Sequence, residues 1–306
     1  MPEQLPIVAV VGATASGKTG LSLDLAERLG GEIVNTDAMA VYRGMDIGTA
    51  KLPPAERRGI PHHLLDLLDV AEPLTVAEFQ GWARTAIAEI RERGRVPVLV
   101  GGSALYTRAV LDRFEFPGTD PALRADLEGE LARIGAPALH ARLAEADPEA
   151  AAAILPDNGR RVVRALEVVE LTGQPFSASL PRQGSVDSHS VQVGVDIGRP
   201  ALDRRIEHRV AAMFDTGLVD EVQTLGPLGR TAAQAIGYRE VTAYLAGQLS
   251  LDAARERTVA ATRRFARRQD SWFRKDPRVR WVGYDAPDRV DLAVAAIASR
   301  HLRPEG

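Results

Sequence analysis

The chain has 306 residues, 45% of them hydrophobic and none of them cysteine, with a net charge of −3. That length supports one large domain or two smaller ones, and the lack of cysteine excludes disulfides, thiolate zinc sites and a cysteine nucleophile, which suits a reducing, cytoplasmic setting. No run of about 18 apolar residues occurs, so no membrane span is expected.

Residues 5–11 (LPIVAVV) form a short, apolar, β-branched run that predicts a buried strand; the run is too short for a signal peptide and lacks a basic leader. Residues 19–29 carry helical spacing that Gly30-Gly31 stops, and residues 32–35 (EIVN) predict a second strand ending at Thr36-Asp37. Thr75-Val-Ala-Glu78 is a capping box that opens a helix running to about Arg93, with Gly94 past its end. Residues 96–100 (VPVLV) predict a third strand leading into Gly101-Gly102. This alternation argues for an α/β fold with a parallel sheet covered by helices.

After Phe116-Pro117-Gly118 the composition changes, and residues 119–180 predict several helices without strands. Residues 185–190 read as a polar linker, residues 191–197 (VQVGVDI) return to strand character, and helical patterns follow to about Lys275. The expected architecture is a sheet core from residues 1–116 and 191–306, interrupted by an inserted helical domain at 117–190. Charge is uneven. Between Arg255 and Arg280 ten Lys/Arg stand against three Asp/Glu, leaving the rest of the chain at −10. One basic segment in an otherwise acidic chain suggests a polyanionic partner at one place on the surface.

Gly12, Ala13, Thr14, Ala15, Ser16, Gly17, Lys18 and Thr19 match G-x-x-x-x-G-K-[ST] and lie between a strand and a helix, as a P-loop NTPase-like core requires. The glycines let the backbone turn so that successive N–H groups face an anion, and the helix N-terminus adds partial positive charge. Lys18 supplies a point charge, and the Thr19 hydroxyl can hold Mg²⁺. A nucleotide hydrolase places a second acidic residue at the end of a buried strand, yet the third strand runs into Gly101-Gly102-Ser103. An aspartate follows the second strand instead. Asp37 can act as a general base for an acceptor at the rim of the cradle, or it can cap the segment 37–42.

With GATASGKT, the block Asn35-Thr-Asp37-Ala-Met-Ala-Val-Tyr42-Arg-Gly-Met-Asp-Ile-Gly-Thr-Ala-Lys51 closely resembles the tRNA dimethylallyltransferase (isopentenyltransferase) family. Four further stretches fit in order: Ile60-Pro-His-His-Leu-Leu-Asp66, Leu99-Val-Gly-Gly-Ser-Ala-Leu-Tyr106, Arg164-Ala-Leu-Glu-Val168 and Gln234-Ala-Ile-Gly-Tyr238. The resemblance implies that the cradle holds the diphosphate of dimethylallyl diphosphate rather than a nucleoside triphosphate. It implies transfer to the exocyclic N6 amine of the adenosine 3′-adjacent to the anticodon, with Mg²⁺ as the cofactor and tRNA as the partner. Asp37, Thr19 and Ser103 then carry the chemistry, Ser103 replacing the threonine usual at that position. One of Arg205 and Arg209, four apart on one helix face, takes the far side of the diphosphate, and Arg209 is favoured.

By the same resemblance Asp37, Ala38, Met39, Ala40, Ser103, Arg124, Arg160, Arg161, Val162, Val163, Arg164, Gln234 and Gly237 lie at the tRNA. The helix over 158–171 sets Arg160 and Arg164 opposite Val162, Leu166 and Val169. The helix over 251–275 sets Arg264, Arg267, Arg268 and Lys275 on one side and Phe265, Trp272 and Phe273 on the other. The aromatics are expected in the core, and the stripe with Arg264 and Arg268 is expected to track phosphates. The insertion is expected to clamp the anticodon stem, moving relative to the core. His62-His63 is read as structural rather than as a metal site. The chain is expected to act as a monomer without the zinc-finger-like tail of some eukaryotic relatives. Two other readings stay open on the residues alone: a small-molecule or nucleoside kinase using Asp37 as base, and a nucleotide-switched RNA-binding protein.

Overall fold

The computed structural model describes residues 5–114, 116–179 and 189–299. It divides into two compact units, Met1–Leu111 with Asp187–Gly306, and Asp112–Val186.

The first unit is built on a parallel sheet of six strands in the order β3-β2-β4-β1-β5-β6. The strands are β1 (Ile7–Val11), β2 (Gly31–Asn35), β3 (His62–His63), β4 (Val96–Val100), β5 (Ser190–Asp196) and β6 (Val279–Gly283). Strand side chains alternate between faces, and both faces of β1 are apolar because both are covered. Ile7, Ala9 and Val11 join a core with Phe79, Ile87, Ile90, Leu202, Ile206, Val210 and Phe273, contributed by α2 (Val76–Glu92), α8 (Arg199–Asp215) and α11 (Leu251–Arg274). Val8 and Val10 join a second core with Leu21, Leu25, Ala293 and Ile297 from α1 (Lys18–Leu29) and α12 (Arg289–Ala298). Burial on both faces is why the strand reads as a continuous apolar run.

The helix ends follow the local signals. Gly30 closes α1 in the left-handed conformation, and Thr75 and Glu78 form the capping box of α2. Among the strands and α-helices four elements escape the sequence reading, the helix at Ala104–Leu111 and three others. β3 has two residues and no period to detect. β6 is an edge strand carrying an exposed Arg280 between buried Val279 and Val282, and α12 follows it.

The second unit packs α4 (Pro121–Ile134), α5 (Ala136–Ala146), α6 (Pro148–Ala153) and α7 (Gly159–Thr172) around Leu127, Leu139, Leu143, Ile154, Val162 and Leu166. Its described residues hold no strand, and it begins at Asp112, ahead of the compositional break at Phe116-Pro117-Gly118. The polar linker expected at 185–190 lies mostly outside the described residues. The remaining helices of the first unit are α3 (Ala104–Leu111), α9 (Leu218–Thr224) and α10 (Tyr238–Leu245).

Candidate active site

The sheet order builds the site. β4 lies between β1 and β2, and the register pairs Val100 with both Val10 and Asn35. The loops after β1, β2 and β4 therefore leave the sheet at one level, on its carboxyl edge, where open α/β sheets take ligands. They carry the glycine-rich cradle, Asp37 and Ser103.

In the cradle Gly12 and Gly17 adopt φ of 135° and 104°, and Ala15 adopts 62°. A left-handed alanine costs about 1–2 kcal/mol, and Arg205 helps to hold it, its Nε donating to the Ala15 carbonyl at 2.7 Å. Gly12 meets the Val195 carbonyl so closely that a side chain there would press on β5. Lys18 Nζ donates to the Ala13 carbonyl at 2.6 Å. The residue as a whole is half-buried, and its ammonium is enclosed. Burial first, and then the Arg209 guanidinium, lower its pKa to about 7, against the pull of the Asp37 carboxylate. Burial likewise lowers the pKa of Arg209, which Asp37 offsets. Lys18, Arg209 and Asp37 thus form one electrostatic cluster: two enclosed basic groups beside one carboxylate, short of a further anion. The Ser16 hydroxyl, fully buried in the cradle, has no hydrogen-bond partner among the described residues. Both features suit a polyanion.

Asp37 is held by its neighbours. Its N–H donates to Asn35 Oδ1 at 2.9 Å, while Asn35 Nδ2 donates to the carbonyls of Asp37 and Leu64. Asp37 Oδ1 accepts the Met39 N–H at 2.9 Å. The capping reading is therefore correct for one oxygen, and Oδ2 takes no hydrogen bond among the described residues. Thr36 bonds Thr107 of α3 through their hydroxyls at 3.1 Å and packs where a Gly101 side chain would stand. The turn bearing Ser103 is thereby pressed against the segment bearing Asp37. Ser103 is half-buried, its carbonyl starting α3 by accepting from Thr107 N–H.

Sequence reasoning missed Gln269. This buried side chain of α11 accepts the Thr14 N–H at 2.8 Å and donates to the Gly102 carbonyl at 2.7 Å. It ties the cradle to the turn before Ser103, and Gly102 must be glycine because the Gln269 amide fills its side-chain space. A long polar residue on an inner face of α11 that is otherwise apolar except for Thr258 was its only sequence signal.

Arg205 and Arg209 of α8 both face the cradle. Arg205 lies against its outer backbone, whereas Arg209 stands beside Lys18 and Asp37 and donates from Nη2 to the Thr49 carbonyl at 3.3 Å. Thr19 is exposed in the first turn of α1, and the described residues hold no cluster of three acidic or histidine ligands for a metal. His62 bonds the Ile60 carbonyl, and His63 bonds Glu32.

The residues expected at the tRNA differ in exposure. Val162 and Val163 are buried in the second unit's core, and the side chains of Ala38 and Ala40 are buried in the first. Gly237 is also buried, its N–H donating to Glu240 Oε2 at 2.8 Å, and its φ of 93° explains the glycine. Gln234 is exposed. Arg124 and Arg164 both pair with the fully buried Glu167, and Arg164 also donates to the Pro117 and Gly118 carbonyls, whereas Arg160 and Arg161 are exposed.

On α11 the buried stripe runs through Ala254, Thr258, Ala261, Ala266, Gln269 and Phe273. Trp272 is not core as expected. It stands at the flank, 41% exposed, with Arg108 over its ring, and Phe265 is only half-buried. Arg255, Arg263, Arg274 and Arg278 pair with acidic neighbours. Arg264, Arg267, Arg268 and Lys275 remain on the exposed face.

The comparisons agree with this geometry. A family model described as IPP transferase matches residues 40–276. The tRNA dimethylallyltransferase of a Nocardioides strain is 71% identical over 302 residues, covering 97% of each chain. That of Streptomyces coelicolor is 58% identical, covering 97% of this chain and 96% of its own. The crystal structure of the tRNA isopentenylpyrophosphate transferase of Bacillus halodurans superposes with a TM-score of 0.72 at 40% identity, over 98% of this chain and 99% of that one. A eukaryotic dimethylallyltransferase, captured in crystals acting on tRNA, gives 0.81 at 25% identity over 96% of this chain and 78% of its own. A match over most of the length, with a cradle, an aspartate and a paired arginine at one sheet edge, makes this chain a member of the IPP transferase family.

Proposed function

We propose that the chain is a tRNA dimethylallyltransferase: it moves a dimethylallyl group from dimethylallyl diphosphate to the N6 amine of the adenosine 3′-adjacent to the anticodon and releases diphosphate. The observation that carries this reading is the cluster of enclosed Lys18 and Arg209 with Asp37, which the loops after β1 and β2, on either side of β4, and helix α8 bring together. An anion-binding cradle and a carboxylate face one space, as donor and acceptor sites must.

The adenine amine is a weak nucleophile because its lone pair is delocalised into the ring. Asp37 Oδ2 accepts a hydrogen bond from it and takes its proton as the C–N bond forms. The breaking C–O bond sends its electron pair to the diphosphate. Cradle N–H groups, Lys18 and Arg209 are aimed where that charge grows, which stabilises the transition state more than the ground state. Ser103, on the turn pressed against Thr36-Asp37, contributes a hydroxyl to the acceptor. The site suits Mg²⁺ carried on the diphosphate. Thr19 offers one hard oxygen, and a cation that keeps waters and substrate phosphates needs few protein ligands. The ion would offset diphosphate charge.

The target base must leave its stack, at a cost of a few kcal/mol. Grip elsewhere on the RNA compensates. We assign that grip to Arg160 and Arg161 of the second unit, acting on the anticodon stem, and to the exposed face of α11. We take the chain to act as a monomer, and no helix among the described residues is long and apolar enough to cross a membrane.

The deciding experiment is mass spectrometry of an anticodon stem-loop incubated with the protein, dimethylallyl diphosphate and Mg²⁺. The expected product gains one dimethylallyl group on the adenosine; an unmodified RNA, or modification that requires ATP, rejects the reading. Charge reversal of Arg264 and Arg268 should weaken RNA binding and reduce the slope of log affinity against log salt by about one for each phosphate no longer bound. Filter binding across a salt series measures this, and an unchanged slope removes these residues from the interface.

A further inference from the structure

Glu221 of α9 fills an anion nest made by the protein itself. Its Oε2 accepts the N–H groups of Asp46 at 3.0 Å and Ile47 at 2.6 Å, and its Oε1 accepts the N–H of Gly48 at 3.2 Å and the hydroxyl of Tyr238. Three successive amides converging on one anion is the arrangement that loops use for phosphate, but here the occupant is a side chain. Gly48 has to be glycine, because the ring of Tyr238 occupies the space of its side chain. The next carbonyl along the loop, that of Thr49, is the one that accepts from Arg209. Lys51 fastens the other end of the loop, bonding the Tyr42 carbonyl, Asp46 and Asp66.

Arg209 needs such an anchor. It stands close enough to Lys18 for their charges to repel, and burial disfavours its charged form. Asp37 attracts the guanidinium, whose one hydrogen bond among the described residues is the one to the Thr49 carbonyl. We propose that Glu221 is a positioning residue for the donor site: by clamping the amides of residues 46–48 it sets the Thr49 carbonyl, and through it the guanidinium of Arg209 that takes the diphosphate. The proposal rests on the reading of Arg209 as a diphosphate ligand. Glu221 itself touches neither substrate.

Glu221→Gln tests it. The glutamine keeps the shape but must turn its NH₂ toward donors, either the Asp46 and Ile47 amides or the Gly48 amide and the Tyr238 hydroxyl. The KM for dimethylallyl diphosphate should rise about tenfold, as expected for a lost hydrogen bond to a charged group, while the KM for RNA stays constant. Tyr238→Phe removes one donor and leaves the three amides, so it should shift the donor KM in the same direction by less. In a double-mutant cycle, Glu221→Gln should add nothing to Arg209→Lys, because both act through one guanidinium. An unchanged donor KM in the folded variant, equal rises for both substrates, or additive losses overturn the proposal. If Glu221→Gln does not fold, an unchanged donor KM in Tyr238→Phe overturns it alone. Calorimetric binding of inorganic diphosphate reads the same shift without prenyl transfer, so failure of the catalytic reading is seen separately as absence of transfer by the wild-type protein.

Discussion

Asp37→Asn is expected to lower kcat for prenyl transfer by about 10²–10⁴-fold, the usual contribution of a positioned general base, and to leave RNA binding unchanged. The asparagine oxygen can still accept the Met39 N–H, as Asp37 Oδ1 does at 2.9 Å, so the turn is kept. The contacts of the preceding residues, Asn35 to Leu64 and Thr36 to Thr107, do not involve the carboxylate. What disappears is the oxygen that takes the proton from the amine. Single-turnover transfer with saturating RNA isolates this step. A variant that turns over at the wild-type rate would remove Asp37 from the mechanism and leave it as a cap alone.

Lys18→Met should lower kcat by about 10²–10³-fold, the scale of one lost donor to a developing anion, and should also weaken binding of the donor. The pH behaviour identifies the cause. With the Lys18 pKa lowered from 10.5 to about 7, the unfolded chain holds a proton between those values that the ligand-free folded protein does not. This group's contribution to stability therefore rises with pH across the window from about 7 to 10.5 and becomes unfavourable as pH falls through it. A bound diphosphate supplies the missing counter-charge and draws the proton back. Donor binding at pH 8 should thus take up close to one proton through this site in the wild-type protein and lose that uptake in Lys18→Met. Calorimetry in buffers of different ionisation enthalpy reads the difference, and identical proton uptake in the two proteins would exclude Lys18.

Local and periodic features were legible in the chain alone. The apolar run of β1, the glycine stop of α1 and the Thr75–Glu78 capping box depend on residues a few positions apart, and each stands in the structure where the sequence puts it. The order of motifs from the cradle to Gln234-Ala-Ile-Gly-Tyr238 was enough to identify the family. Helical wheels were less dependable at their flanks. On α11 the wheel separated Arg264 and Arg268 from Phe273 correctly, but it placed Trp272 inside, because one position of rotation divides a buried stripe from an exposed edge. The salt bridges that absorb Arg124 and Arg263 were invisible for another reason, since each needs a partner brought by a different helix.

By itself, then, the sequence determined four of the six strands and most of the helices, that one loop has the form of an anion cradle, and which family the chain belongs to. Tertiary structure alone decided what faces the cradle. The strand order puts β4 between β1 and β2 and so carries Asp37 and Ser103 to the same edge, α8 returns Arg209 to Lys18, and Gln269 bonds Thr14 across 255 residues of chain. Hydrophobic periodicity and caps are set by neighbours along the backbone. These meetings instead depend on how the sheet is ordered and how the helices pack upon it, and no spacing in the sequence encodes them.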